Sequence, residues 1–159
     1  LGNLIQRTLK FLNKNFNSTI PYSIIDSDTK IQPLKDGYDL LNKVDEMMKI
    51  FQISFSLKLI FDYITSLNKF MDREEPWNSF KNNPKKTGKD LAILIEGFRL
   101  IGIILQPFIP NASSKILDTI NINKNLRSFK YLNKDHKIQK GHFINEPKPI
   151  FPRYETKNC

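Results

Sequence analysis

Asp72-Arg73-Glu74-Glu75-Pro76-Trp77 joins the end of a long apolar helix to the start of a short polar one, and it carries the only tryptophan of the chain. A proline just inside a helix start is favourable, because the N–H it lacks would be unsatisfied there anyway. The sequence therefore predicts two helices meeting at this point, with Trp77 on the first turn of the second. A large ring held that way at a surface suits stacking on a flat ligand such as an unpaired base. A lone tryptophan on a helix is more often core, so the weight of the reading falls on its neighbours.

Upstream, helical spacing of Phe55, Leu59, Asp62/Tyr63, Ser66/Leu67 and Phe70 predicts a helix from about Ser54 to Met71. Before it, Tyr38, Leu41, Val44, Glu46/Met47 and Ile50 mark another from about Lys35 to Phe51, joined to the next by a very short turn. Residues 17–33, with Pro21 and Pro33 and no period, read as a loop. The chain opens on an amphipathic helix from Leu1 to Phe16, with Leu1, Leu4, Ile5, Leu9, Leu12 and Phe16 on one stripe and Asn3, Arg7, Lys10 and Lys14 flanking or opposite it. Downstream, a short helix runs to about Lys81, closed by Asn82-Asn83-Pro84. Thr87 and Asp90 have capping-box spacing and predict a long helix through about Gln106. Pro107 ends it, and Pro110 starts a last helix to about Ile120.

Residues 121–159 change character: Asn and Lys with scattered single apolars, then Glu146-Pro147-Lys148-Pro149-Ile150-Phe151-Pro152-Arg153, which proline bars from helix. The expected fold is all-α, a bundle of five or six helices with an extended C-terminal strap. Residues 1–120 form the bundle, and 121–159 a basic extension packing back on it within the same domain.

The chain has 159 residues, 40% hydrophobic, enough for one domain with a core. It opens at Leu1 without a charged and apolar leader, and no run approaches the roughly 20 apolar residues that span a bilayer. The longest greasy stretch, Leu91 to Ile109, is interrupted by Glu96, Arg99, Gln106 and Pro107. One cysteine, Cys159, excludes an internal disulfide or a thiolate metal site and fits a reducing, cytoplasmic setting. The net charge of +9 points toward polyanions, though Lys, Asn and Ile together make 57 residues and part of that charge is compositional bias. Residues 121–159 alone hold +6 of it.

Catalytic groupings do not emerge. His136 and His142 lack a third ligand at metal spacing, so no metal site is expected. Adjacent Glu74 and Glu75 diverge on a helix, Lys85-Lys86 has no glycine frame for a phosphate loop, and Glu96 with Arg99 at i, i+3 reads as a buried or half-buried ion pair. No nucleophile, base and oxyanion donor assemble. By itself the chain is not an enzyme.

Binding groups do emerge. Asn3 and Arg7 lie four apart on one helix face, where an amide and a planar guanidinium can converge on a base edge. Lys10, Lys14, Lys81, Lys85, Lys86 and Lys89 are candidates for phosphate contacts, which fix register without reading sequence.

In order along the chain, these pieces resemble the anticodon-binding domain of methionyl-tRNA synthetases, class I aminoacyl-tRNA synthetases. Leu1-Gly2-Asn3-Leu4-Ile5-Gln6-Arg7 is similar to the first helix of that domain. Asn68 to Lys81 is similar to its N-K-[YF]-[ILM]-[DE]…P-W…K segment. Leu105 to Pro110 is similar to its L-x-P-[FV]-[ILM]-P helix end, and Pro149 to Glu155 to its closing P-L-F-P-R-[IL]-E. Synthetases for isoleucine, leucine and valine share the bundle and a P-W segment, but the first and last stretches favour methionine.

The resemblance implies that Trp77 stacks on the first base of a CAU anticodon, that Asn3 and Arg7 hydrogen-bond the splayed cytosine, that Pro76 fixes the loop and that Lys81 lies close by. It implies methionine tRNA as partner, no membrane, a monomer, and no cofactor in this chain. ATP and magnesium would serve the parent enzyme, which joins methionine to tRNA through methionyl-adenylate. The catalytic signatures His-Ile-Gly-His and Lys-Met-Ser-Lys-Ser do not occur. Two other readings stay open: a helical protein-interaction module whose basic tail meets an acidic partner, and a non-specific polyanion binder acting through 121–159.

Overall fold

A computed structural model describes residues 1–151. Six helices follow one another: α1 (Gly2–Phe16), α2 (Leu34–Lys49), α3 (Ile53–Glu74), α4 (Pro76–Ser79), α5 (Pro84–Ile104) and α6 (Pro110–Thr119). No strand occurs among the described residues, only an isolated antiparallel bridge between Thr19 and Phe143. The expected all-α bundle is what forms. Cys159 and the second half of the closing motif, from Pro152, lie outside the described residues.

Helix α5 is the axis of the bundle. From Thr87 to Ile104 every residue but Lys89 is buried, and α1, α2, α3, α4 and α6 all pack on it. A helix apolar on all sides has to be enclosed. The two charges that interrupt its run are enclosed with it: Glu96 is 0% and Arg99 2% exposed. Arg99 Nε and Nη2 donate to the two Glu96 carboxylate oxygens at 3.0 and 2.7 Å. Glu96 also accepts from the Tyr38 hydroxyl at 2.9 Å and from the Ile138 amide at 3.0 Å. Burial and the nearby Glu96 charge push the Tyr38 phenol well above its ordinary value, so it stays a donor. The free arms of Arg99 donate to the Tyr131 carbonyl at 2.7 Å and the Asn133 carbonyl at 3.1 Å.

Those last contacts explain residues 122–150. Three short 3-10 turns, Lys124–Leu126, Phe129–Tyr131 and Lys134–His136, bring single apolar residues to the bundle. Ile122, Leu132, Ile138, Ile144 and Ile150 are each buried while most of their neighbours are exposed. Backbone bonds finish the seam: Ile20 N–H to the His142 carbonyl, Gly141 N–H to the Ile20 carbonyl, Ile144 N–H to the Ser18 carbonyl and Asn145 N–H to the Thr119 carbonyl, all at 2.8–2.9 Å. The strap ends with the Phe151 ring against Gly2, where a Cβ would sit 2.9 Å from it.

Three expectations need correction. Helix α5 begins at Pro84 and not at Thr87: the Asn83 side chain accepts from the Lys86 amide and caps it, while the Thr87 hydroxyl turns back to the Asn83 carbonyl and to Ser79. Of the expected α2 stripe only Val44 is fully buried: the core face is Leu34, Gly37, Leu40 and Val44, with Tyr38 and Leu41 half-buried beside it. Gly37 sets that face, since a Cβ there would lie 2.2 Å from the Tyr63 hydroxyl, so this face alone admits α3 closely. Ile50 and Phe55, expected on core stripes, are 59% and 47% exposed at the α2–α3 tip.

The loop 17–33 is pinned by Asp28, whose carboxylate takes the Tyr22 hydroxyl, the Ile25 amide and the Lys89 ammonium. Burial pushes this carboxyl up, but the Lys89, Ile25 and Tyr22 donors outweigh it and hold it below the usual aspartate range. Its folded value lies below its unfolded one, so its contribution is whole above about pH 4 and drains away as pH falls through the folded value. Urea midpoints are expected to drop with acidification below about pH 4, less steeply in Asp28→Asn. Arg99→Met, which strands the Glu96 charge, should cost about 3–5 kcal/mol in urea unfolding. The same variant should expose residues 122–145 to protease before the bundle is cut.

Candidate nucleic-acid interface

The site is built at the turn between α3 and α4. Glu75 takes a left-handed backbone (φ 42°, ψ 64°), closes α3 by donating its N–H to the Met71 carbonyl at 3.0 Å, and opens α4 by accepting from the Asn78 and Ser79 amides. A non-glycine residue in that region is strained by roughly 1–2 kcal/mol. The Asn78 side chain donates to the Glu75 carboxylate at 2.9 Å and steadies it. Pro76 is buried at the first helical position, and Trp77 points outward from the same turn, 37% exposed.

Helix α4 has only four residues and cannot hold itself. Phe80, just past it, meets the rings of Phe11 (5.8 Å, 89°) and Phe16 (5.3 Å, 74°) edge-on, fastening α4 to α1. The Ser79 and Thr87 hydroxyls, 2.9 Å apart, fasten it to α5. Lys86 sits between Glu74 at the end of α3 and Asp90 on α5. Burial raises the Glu74 carboxyl, yet the Lys86 and Arg73 hydrogen bonds overcome this and leave it below its usual range. Burial dominates at Asp90 and leaves its carboxyl raised.

Arg7 on α1 comes to Trp77 on α4. Its guanidinium carbon lies 4.8 Å from the centre of the Trp77 ring, within cation–π range. Asp72 stands 4.0 Å from the same guanidinium. Asn3 is exposed one turn before Arg7, and Lys10 and Lys14 continue the exposed strip, all four within about 60° of one another around the helix at 100° per residue. Lys81 and Lys85 are exposed on the α4–α5 side. Lys86 and Lys89, counted above with the phosphate contacts, instead spend their charge inside the protein on Glu74 with Asp90 and on Asp28.

His136 bonds the Asn133 side chain and His142 the Ile120 carbonyl. Among the described residues no group of three His, Cys, Asp or Glu side chains could hold a metal, and no helix is long and apolar enough to cross a membrane. Sequence reasoning missed Phe80, Phe11 and Asp72 as the residues that place the ring and the guanidinium. Phe11 carried a signal, an aromatic at the edge of the apolar stripe of α1, seven residues after Leu4.

The family model for the anticodon binding domain of methionyl tRNA ligase matches residues 26–158. Methionine–tRNA ligase of Rickettsia felis is 37% identical over 158 residues, which cover 98% of this chain and 31% of that protein. The enzyme of Fusobacterium nucleatum is 35% identical over 166 residues, 99% of this chain and 25% of that protein. The free-state crystal structure of methionyl-tRNA synthetase from Mycobacterium tuberculosis superposes with a TM-score of 0.89 at 26% identity, covering 98% of this chain and 32% of that one. A second structure of that enzyme, bound by methionyl-adenylate, gives 0.88.

A helix bundle with an aromatic–guanidinium platform at its surface is thus a member of a known class of binding domain. This chain belongs to the family of anticodon-binding domains of methionyl-tRNA ligase, and it spans about a third of the length of the relatives it matches.

Phe80→Ala should lower stability by about 2 kcal/mol, less than a fully buried phenylalanine would. It should also raise acrylamide quenching of Trp77, whereas Phe80→Leu keeps both near the parent values.

Proposed function

We propose that this domain reads the CAU anticodon of methionine tRNA on behalf of a methionine–tRNA ligase, and that it does so as a monomeric, cytoplasmic protein. The observation that carries the reading is the Arg7 guanidinium resting on the half-open Trp77 ring, in a chain of this family. In the free protein Arg7 covers one face of the indole. The incoming first base takes that place and stacks, and the guanidinium slides to the edge of the base.

Cytosine offers acceptors at O2 and N3 and a donor at its amino group. Arg7, which only donates, suits the acceptors, and the Asn3 side-chain carbonyl suits the amino group. Uracil turns N3 into a donor and the amino group into an acceptor, which leaves both protein groups facing like partners. Pro76 holds the turn, and Lys81, Lys85, Lys10 and Lys14 meet phosphates. Joining methionine to tRNA with ATP and magnesium belongs to the part of the relatives beyond this third. No chemical step passes through the residues described here.

Trp77→Ala should weaken binding of a CAU stem-loop by about 1–3 kcal/mol. In the parent chain the CAU loop should quench the single tryptophan and a GAU loop should not. Equal affinity for the two loops would overturn the reading.

A further inference from the structure

Beside Phe16 lies an open hollow of about 360 Å³. Its walls are the rings of Phe16, Pro21, Tyr22 and Pro84, and Lys85 and Lys140 stand at it. Three distant segments meet here for stated reasons. Gly88 lets the loop reach α5, since a Cβ there would lie 2.8 Å from Pro21. The Lys140 amide donates to the Ser23 hydroxyl at 3.1 Å and the Gly141 amide to the Ile20 carbonyl at 2.8 Å, which sets Lys140 opposite Lys85. Tyr22 is held by its hydroxyl on Asp28, with Lys89 over its ring at 5.8 Å. The Lys89 charge is taken by Asp28, whereas Lys85 and Lys140 have no acidic partner among the described residues.

We infer that this hollow holds one nucleotide of the bound RNA strand, its base or sugar against the Phe16–Tyr22–proline walls and its phosphate between Lys85 and Lys140. The inference rests on the anticodon reading for the identity of the strand. Position supports it. Phe16 touches the Phe80 ring that anchors α4, the helix that carries Trp77. From Arg7 to Phe16 is nine residues of helix, about 14 Å. At about 100° per residue those nine residues make two and a half turns, so the two side chains leave opposite faces of α1, and the link between the two places is the Phe80 ring, which touches Phe16. The aromatic platform and the ring-lined hollow with its two lysines are joined through α4, which carries Trp77 and is followed by Phe80. The hollow carries no edge-reading group, so it holds any base.

The test uses the whole chain, CAU and GAU stem-loops, and Lys85→Gln combined with Lys140→Gln. The expected result is a loss of about tenfold in affinity for both loops, with the CAU-over-GAU ratio and the Trp77 quench at saturation unchanged. The log–log salt slope should become shallower by about 0.7, one single-strand phosphate contact's worth. Ethylation interference at one loop phosphate should vanish in the variant. An unchanged affinity and slope would overturn the inference while leaving the anticodon reading standing, and so would an equal loss from Lys130→Gln with Lys134→Gln, a matched pair away from the hollow. A parent chain without CAU preference would sink the anticodon reading instead. In that case the double variant's shallower slope on RNA would still mark the hollow as a strand contact, and an unchanged slope would dismiss both.

Discussion

Two opposite charges inside the most apolar helix of the bundle set the terms for everything packed around them. Removing a carboxylate and a guanidinium from water costs several kcal/mol per ion, and their mutual attraction offsets this only when the remaining lone pairs and protons also find partners. Glu96 and Arg99 face each other through two hydrogen bonds, and the rest of their capacity is met by Tyr38 on one side and by Ile138, Tyr131 and Asn133 on the other. The strap is therefore no passive tail. It supplies the amide and carbonyls without which the pair would be a buried liability, and it is held in return at the one place where a sequence so poor in apolar residues could not hold itself.

From that axis the site follows by short steps. Helix α5 carries Thr87, Lys86 and Asp90 on its first turns, and these grip Ser79 and Glu74 on the neighbouring elements. Glu75 absorbs the reversal between α3 and α4 in a strained backbone, and Phe80 docks the short helix between two rings of α1. The indole and the guanidinium then meet without either needing a partner of its own beneath it. Four helices locate two side chains, so the platform exists before any ligand arrives and little ordering entropy is left for binding to pay.

The helices were legible because their signals are local: the α1 stripe, the prolines at 76, 107 and 110, and the enclosed run of α5. Pro76 at a helix start placed the ring, and the four-residue step set Asn3 and Arg7 on one face, but that Trp77 and Arg7 meet came from the family resemblance alone. What escaped depends on approach across space. Nothing in the spacing of α2 announces that Gly37 faces Tyr63. Lys85 and Lys86 look alike in sequence, yet only folding shows that one faces outward and the other lies between two carboxylates. The strap was opaque for a different reason. Its buried isoleucines and leucine stand six to ten residues apart, too sparse to trace a helical or a strand stripe.

The strap's final described residue closes over the first turn of α1, where the Phe151 ring rests on Gly2, next to Asn3. That turn begins without a side-chain cap and is the part of the helix most given to fraying. A ring laid across it acts as a paperweight on the residue just before Asn3. Loosening the distant charge pair that anchors the strap would then loosen the opening turn of α1 without touching it, so order at the start of that helix is coupled to a segment far away in the chain.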